Sequence, residues 1–565
     1  MEGLLVWTKN IYHVEDAQHN IIASFSNVHD VAPCLHGDHV NVNGGKVCLK
    51  ERANYVPIVG VLELRNKTHY GLTSRGHPLY LFRPYDSCYP NFVIGCSQKD
   101  LSKNLLVLIN FSEWNYPIQQ LPRGVIRNIL GHCGDFDAEK QAIFWHYSPY
   151  AMPKEIKELH EECYDVHNEL LQREKTPPCT FHIDPLGCKD VDDVVSIVEK
   201  GSSLWEIWIT ISDVSAYIMK ESPLDMYARK QVTTTYDNDG NVLRPMLPER
   251  ISTGCCSLLP GNDHLGVSLI LTFDGKHVLD SRWKLVTVSN VQTYHYENVY
   301  ASSLPLYVLE SFTSYFFQTK DLEIVKDSHK WIEACMLFYN KMAATLFSTH
   351  QKGILRAQHD ADIEKMKYFK AYNIVALEKY AQNSAYYCDA SSLEKYHASL
   401  QMDVYCHATS PIRRYVDLVN QRILKEILLD HESRIHKVDY HHINRVSNIH
   451  KKLRRDLHYA QCIMNGNNEK IEMVVLEIVQ KDDHTLKVKC WVPIWDTIVS
   501  WKALGRDKSI IVDKKYMYSV QIGSKIDVQY YCNYQQFSWK HKMNFCLDPS
   551  FIDANKENLV PVPHN

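Results

Sequence analysis

A chain of 565 residues has room for about three to four domains and a sizeable core. With 45% hydrophobic and 23% charged residues it is an ordinary globular composition, which excludes a fibrous or low-complexity protein. A net charge of −4 excludes a uniformly basic nucleic-acid binder, so any contact with phosphates must come from a local basic surface or channel.

The 17 cysteines form no C-x-x-C pair, and Cys255 and Cys256 are adjacent, which suits neither a disulfide nor a zinc knuckle. They read as reduced, mostly buried thiols of a cytoplasmic protein. The start, MEGLLVWTKN, lacks a charged n-region and a long apolar h-region, so no signal peptide is expected. No stretch approaches the roughly 18–20 apolar residues of a membrane span.

Residues 1–165 read as short strands punctuated by Gly and Pro, among them HGDHVNV (36–42), VPIVGVLEL (56–64), THYGL (68–72), PLYLFRP (78–84) and LLVLINF (105–111). Such spacing predicts small β-barrels. From residue 154 the pattern turns helical, then breaks at Pro177-Pro178. Strands return at DVVSIVEK (193–200), LWEIWITISDVSAYI (204–218), LGVSLILTF (265–273) and SRWKLVTVS (281–289). Residues 328–465 are mostly helical, and Ile443, Val446, Ile449, Leu453, Leu457, Ala460 and Met464 keep the spacing of one apolar helix face. Asn465-Gly466-Asn467-Asn468 reads as a linker before a last set of strands, IEMVVLEIVQ, TLKVKCWVP and GSKIDVQYY.

Two motifs carry chemistry. In FHIDPLGCKDVDDVVS (181–196), Asp184, Asp190, Asp192 and Asp193 crowd together, and Pro185 and Gly187 favour a turn that gathers them. A divalent cation relieves the repulsion, and hard oxygen ligands suit Mg²⁺ or Mn²⁺. Two such ions can activate a water and stabilise the leaving oxygen in phosphodiester hydrolysis. The competing reading is a solvated acidic turn. In YCHATSPIRRYVDLVNQRIL (405–424), Ser410 reads as an N-cap, Pro411 as the first helical residue, and Val416, Val419, Ile423 and Ile427 as an apolar stripe. Arg413 and Arg414 then fall in the first turn, where cations are unfavourable unless an anion such as phosphate sits there. Pairing with carboxylates elsewhere would also explain them.

These two motifs resemble the catalytic signatures of the ribonuclease II / ribonuclease R (RNB) family of 3′-5′ exoribonucleases, which includes Dis3-like proteins. ISDVSAYI (211–218), SPLDMYARK (222–230), RPMLPERISTGCCSLLPG (244–261), TYHYENV (293–299), GILR (353–356) and HATSPIRRYVDL (407–418) follow the family's order, over about residues 30–550.

The resemblance implies an α+β multidomain chain: a partial cold-shock/OB barrel (1–64), a second such barrel with a helical connector (65–165), an RNB catalytic domain (166–465), an S1-like OB barrel (466–550) and a tail (551–565). It implies that Asp184, Asp190, Asp192 and Asp193 form the metal site, with Asp192 essential for cleavage and Arg413 holding the scissile phosphate. Arg414 joins Arg413 on the RNA. Tyr236 and Tyr296 match aromatic residues that stack on bases near the 3′ end, and Glu333 matches a glutamate that clamps the terminal nucleotide. It implies hydrolysis of single-stranded RNA to 5′-nucleoside monophosphates by a monomeric enzyme with Mg²⁺, or Mn²⁺, as cofactor.

OB barrels track single strands with basic grooves and stacking aromatics, so Trp491, Trp495, Trp501, Tyr530, Tyr531, Phe537 and Trp539 are candidates for that surface, or else core. The run Lys451, Lys452, Arg454, Arg455 suits phosphates or a solvated helix face. The segment between Tyr296 and Glu333 is shorter than usual, Ala334 stands where relatives often carry a second acid, and no endonuclease domain is expected. Two other readings are a catalytically silent RNA-binding protein on the same fold, against which the intact aspartates argue, and a non-enzymatic OB-fold RNA chaperone, against which the helical middle region argues.

Overall fold

The computed structural model describes residues 2–562 other than 9–10, 69, 151, 158–165, 202, 319–324, 373, 431–437, 465–469, 513–514 and 534–541. The chain divides into two compact units, one of residues 1–151 and 449–565, the other of residues 152–448.

The first unit holds three β-structures. A five-stranded antiparallel sheet runs in the order Ile21–Phe25, Ile11–Glu15, Glu2–Thr8, His39–Asn43, Lys46–Glu51. A closed barrel follows, in the order Arg123–His132, Phe92–Gly95, Leu79–Pro84, Ile58–Leu62, Leu105–Glu113. Ile58–Leu62 pairs on both sides inside this barrel, so the expected boundary at residue 64 falls too late. Five consecutive buried residues, IVGVL, explain why: the strand is covered on both faces. Gly60 is needed there, since a Cβ would lie 2.2 Å from the Arg83 carbonyl oxygen. Helix Phe136–Tyr147, capped by Asp135, buries Ala138 and Ala142 against Val59, Val61, Leu106 and Leu108. Among its described residues THYGL (68–72) forms no strand; Leu72 makes an isolated bridge to Pro78.

The C-terminal sheet has eight strands, in the order Met543–Leu547, Lys525–Cys532, Lys470–Asp482, Thr485–Val492, Thr497–Arg506, Ser509–Ile511, Tyr516–Ser519, Leu559–Pro561. The last strand lies in the expected tail and pairs with Tyr516–Ser519. Of the aromatic candidates, Trp495, Trp501 and Tyr530 are core residues, Trp491 is half-buried and Tyr531 is exposed; Phe537, Trp539 and the Asn465–Asn468 linker lie outside the described residues.

The second unit is built on a seven-stranded sheet: Glu174–Lys175, Val278–Val288, His264–Phe273, Leu204–Ser212, Asp193–Gly201, Thr180–Asp184, Val291–His295. Its central strands are apolar on both faces. Ile207, Ile209 and Ile211 point into the main core with helix Ser328–His350, while Trp208 points the other way onto Val191, Val194, Leu258 and Ile270. The strand stops at Ser212, and Val214–Tyr217, expected as strand, is a helical turn, because Asp213 leaves the sheet to meet Arg173 and Lys425. Helix Pro223–Gln231 starts as its sequence dictates, with Ser222 accepting from the Asp225 N–H and Pro at its first position. No described helix is long and apolar enough to cross a membrane.

Candidate active site

The acidic motif begins at the end of one strand and finishes at the start of its neighbour. Strand Thr180–Asp184 delivers Asp184, and strand Asp193–Gly201 begins at Asp193, so the turn between them carries Asp190 and Asp192. Gly187 has φ +85, which a glycine tolerates without strain. The turn is stapled from outside. The Val191 N–H donates to Ser257 Oγ at 2.9 Å, the Ser257 hydroxyl donates to the Lys189 carbonyl at 2.8 Å, and the Leu258 N–H donates to the Val191 carbonyl at 3.0 Å. This gives a physical role to the CCSLLP motif, which the sequence showed only as a match.

Each of the four carboxylates meets a different environment. Asp184 Oδ2 lies 2.8 Å from His182 Nδ1, and His182 Nε2 lies 2.9 Å from Thr293 Oγ1. Asp190 accepts from the Tyr236 hydroxyl at 3.2 Å. Asp192 is buried; its Oδ1 accepts from the Ile412 N–H at 3.1 Å, and its Oδ2 lies 3.0 Å from Arg413 Nε, paired in charge but not aligned as a hydrogen bond. Burial pushes Asp192 up to about 7, against the pull of Arg413 and the Ile412 N–H. Asp193 is raised well above the carboxylate range by burial and by the charges of Asp184 and Asp192.

Arg413 reaches this cluster from a turn, not from a helix start. The helix runs Tyr415–Leu428 and Arg414, in extended backbone (φ −133, ψ 123), is its N-cap residue, so Ser410 and Pro411 lie outside it. The reason is long-range. The Thr234 N–H donates to the Arg413 carbonyl at 2.9 Å and the Tyr415 N–H to the Val232 carbonyl at 2.8 Å, which holds residues 413–415 against the 232–234 segment. Asp417 Oδ1 then accepts from both the Ser410 N–H (2.8 Å) and Arg414 (2.7 Å), closing the turn. Arg414 is thus paired within its own turn. Arg413 remains beside Asp192, its guanidinium half-exposed. Burial works against its charge, but Asp192, Tyr236, Asp190 and Asp193 outweigh it and hold the proton more tightly.

The helix behind the turn is lined with polar groups that the apolar-stripe reading missed. Asn420 donates to the Ile354 and His407 carbonyls, both at 2.9 Å, and accepts from the Ile354 N–H at 2.8 Å. Gln421 donates to the Ser212 carbonyl at 2.7 Å, and Asn340 accepts from the Ala408 N–H at 2.8 Å. Asp192 and Arg413 are thereby set by two loops tied to one buried helix. The spacing Asp417, Asn420, Gln421 at one helical face was the available signal.

Tyr236, in the short strand Thr235–Tyr236, joins the cluster through Asp190. Tyr296 follows strand Val291–His295; burial, Asp184 and Asp193 raise its hydroxyl pKa, so the ring stands in the field of the acids. Glu333, on helix Ser328–His350, is half-exposed and pairs with Lys330 at 2.5 Å.

The donor set fits a divalent cation. Buried carboxylates that repel one another, with Asp192 Oδ2 lacking a hydrogen-bond partner, are relieved by a hard cation. Among the described residues no three His, Cys, Asp or Glu side chains already surround one point, because Asp184, Asp190 and Asp192 are turned to His182, Tyr236 and Arg413 respectively.

Two family models match the chain. The RNB domain model matches residues 173–303 and 316–430, and the Dis3-like cold-shock domain 2 (CSD2) model matches residues 79–148. Over these residues the chain is similar to the RNB family of ribonucleases. The RNB match contains the acidic turn, Tyr236, Tyr296, Glu333 and the arginine turn. Ribonuclease R of Buchnera aphidicola subsp. Schizaphis graminum is 25% identical over 515 residues, covering 74% of this chain and 68% of the relative. Ribonuclease R of Escherichia coli is 26% identical over 384 residues, covering 54% of this chain and 47% of the relative. Among solved structures, Mycoplasma genitalium RNase R in complex with ribose methylated single-stranded RNA has TM-score 0.71 at 16% identity, covering 97% of this chain and all of that one. Yeast Ssd1, a pseudonuclease, has TM-score 0.59 at 16% identity, covering 94% and 81%. The same fold therefore occurs in a protein named RNase R and in one named a pseudonuclease, and what separates such proteins must be sought in the site.

Proposed function

We propose that this chain is a 3′-5′ exoribonuclease that hydrolyses single-stranded RNA from its 3′ end to 5′-nucleoside monophosphates, acting as a cytoplasmic monomer with Mg²⁺ or Mn²⁺. The observation that carries this reading is the buried Asp192 beside Arg413, on top of a turn that also holds Asp184, Asp190 and Asp193. A silent RNA-binding scaffold gains nothing from burying mutually repelling carboxylates, whose charge costs free energy unless a cation or a reaction uses it. The RNB domain match and the RNA named with the Mycoplasma protein support the substrate class.

Asp184, Asp190, Asp192 and Asp193 would hold the cation. When bound, it lowers the pKa of water and neutralises charge on the phosphate. Arg413 offers its guanidinium to the scissile phosphate, where negative charge grows as water attacks phosphorus and the bond to O3′ of the penultimate nucleotide breaks. Asp192 holds Arg413 in place through its ion pair. Tyr236 and Tyr296 supply ring faces for bases near the 3′ end and Glu333 binds the terminal nucleotide, while Arg414, paired with Asp417, braces the turn that presents Arg413.

Digestion of 5′-labelled RNA with Mg²⁺ should give a ladder shrinking from the 3′ end, and a blocked 3′ end should protect the RNA. Rapid internal cleavage of a circular RNA would refute the exonuclease reading. Asp192→Asn removes one charge at nearly constant volume. Single-turnover cleavage should fall by orders of magnitude while RNA affinity is kept or improved, since the loss falls on the transition state. Equal rates would mean that the acidic cluster does not perform the cleavage.

A further inference from the structure

The segment joining Tyr296 to Glu333 is short, and its far end is fastened back onto its near end. Helix Ser328–His350 begins with Asp327 as N-cap, its side chain accepting from the His329 N–H at 2.9 Å. The Ser328 hydroxyl donates to the Tyr296 carbonyl at 2.9 Å, and the Ser328 N–H donates to the Tyr300 hydroxyl oxygen at 2.9 Å. The His329 ring lies flat on the Tyr296 ring, centroids 3.8 Å apart and planes 9° from parallel. Glu333 stands one helical turn after His329, on the same face.

We propose that His329 is a positioning residue for the 3′-terminal nucleotide: it backs the Tyr296 ring, fixes its plane, and sets that ring in register with Glu333. The inference rests on the exoribonuclease reading and adds to it a residue that the acidic and arginine motifs do not contain. Tyr296 is half-buried between the acidic turn and this helix. A tyrosine free to rotate must be ordered when a nucleotide arrives, and ordering one side chain weakens binding by roughly two- to tenfold. A ring already held against an imidazole avoids that loss, and a flat aromatic contact is the interaction that holds it. Ser328 is buried, so the clasp is anchored in the core, whereas the His329 side chain is 67% exposed. Its removal therefore tests the stack without emptying the interior.

The test is steady-state degradation of a short single-stranded RNA by the full chain. His329→Ala should raise KM roughly three- to tenfold with kcat changed less than about twofold, because Asp192 and Arg413 are untouched. His329→Phe keeps a flat ring without charge and should restore KM to within about twofold of wild type. Should His329→Ala lower the melting temperature, His329→Leu, which keeps bulk but no flat face, takes its place in the comparison. An unchanged KM, a fall in kcat at unchanged KM, or a His329→Phe variant as impaired as the alanine would overturn the proposal. A wild-type chain that does not shorten RNA from the 3′ end would overturn the exoribonuclease reading itself, so the two failures are told apart by the unmutated protein.

Discussion

Asp192 and Arg413 carry the proposed chemistry, and neighbouring side chains decide where they stand. Arg413→Lys keeps a cation yet loses the planar fork that can meet two phosphate oxygens. Cleavage should fall much more than RNA binding, measured by single turnover and filter retention; an unchanged rate would make Arg413 structural. His182 is buried, and its two ring contacts are both satisfied if Nδ1–H donates to Asp184 and Nε2 accepts from the Thr293 hydroxyl. An asparagine amide nitrogen sits near the Nδ1 position and a glutamine amide near Nε2. His182→Asn should therefore keep Mn²⁺ affinity within a few-fold, while His182→Gln should weaken it by about tenfold or more, as loss of an orienting partner does. Electron paramagnetic resonance of bound Mn²⁺ measures this without turnover, and equal affinities in the two variants would show that His182 does not orient Asp184. The acidic residues were legible because four carboxylates around a Pro-Gly turn are chemically conspicuous. His182, Ser257 and His329 were not, because a lone histidine or serine carries no signal until its partner, far along the chain, is known.

At the scale of elements, strands buried on both faces were readable as apolar runs, and their observed limits lie close to the expected ones at 193–201, 264–273 and 278–288. Helix Tyr415–Leu428 was readable as a helix but not in its start, since the bonds from Thr234 and Tyr415 that hold the arginine turn extended are long-range. A comparable long-range link ties the cold-shock barrel's helix to the C-terminal sheet. Lys542 and Glu139 are both fully buried and paired at 2.5 Å, and Lys542 also meets the Tyr85 hydroxyl at 3.0 Å. Breaking such a pair from one side leaves an uncompensated charge and costs about 3–5 kcal/mol. Glu139→Gln should accordingly lower the denaturant midpoint of the unit formed by residues 1–151 and 449–565, and adding Lys542→Met should recover part of the loss. Additive losses in the double variant would count against direct pairing.

For the whole molecule, the buried carboxylates couple stability to pH and, on the proposed function, to a bound cation. The folded pKa of Asp192, about 7, lies above its ordinary value, so the folded state holds the proton more tightly. Its contribution is full at pH below about 4 and is lost as pH rises through about 7; Asp193 shifts in the same direction. Without divalent cation, the catalytic unit should lose stability across that window, by up to about 4 kcal/mol from Asp192 alone. Added Mg²⁺ should stabilise it more at pH 8 than at pH 5, since only the ionised carboxylates bind cation. Melting curves with Mg²⁺ and with EDTA at both pH values check the sign; equal stabilisation at the two would place the cation elsewhere.

By itself the sequence determined the apolar strands and the acidic and arginine motifs, because each is written in adjacent residues whose period, turn preference or charge acts locally. Tertiary structure decided what those motifs do to one another. It placed Arg413 against Asp192, although they lie more than two hundred residues apart in sequence. It assigned Ile58–Leu62 to the second barrel and drew Leu559–Pro561 into the last sheet. It also made Asn420 and Gln421 the supports of two loops. The physical reason is the same in each case: a backbone or side-chain hydrogen bond is satisfied only when its partner arrives, and for these groups the partner comes from a distant part of the chain.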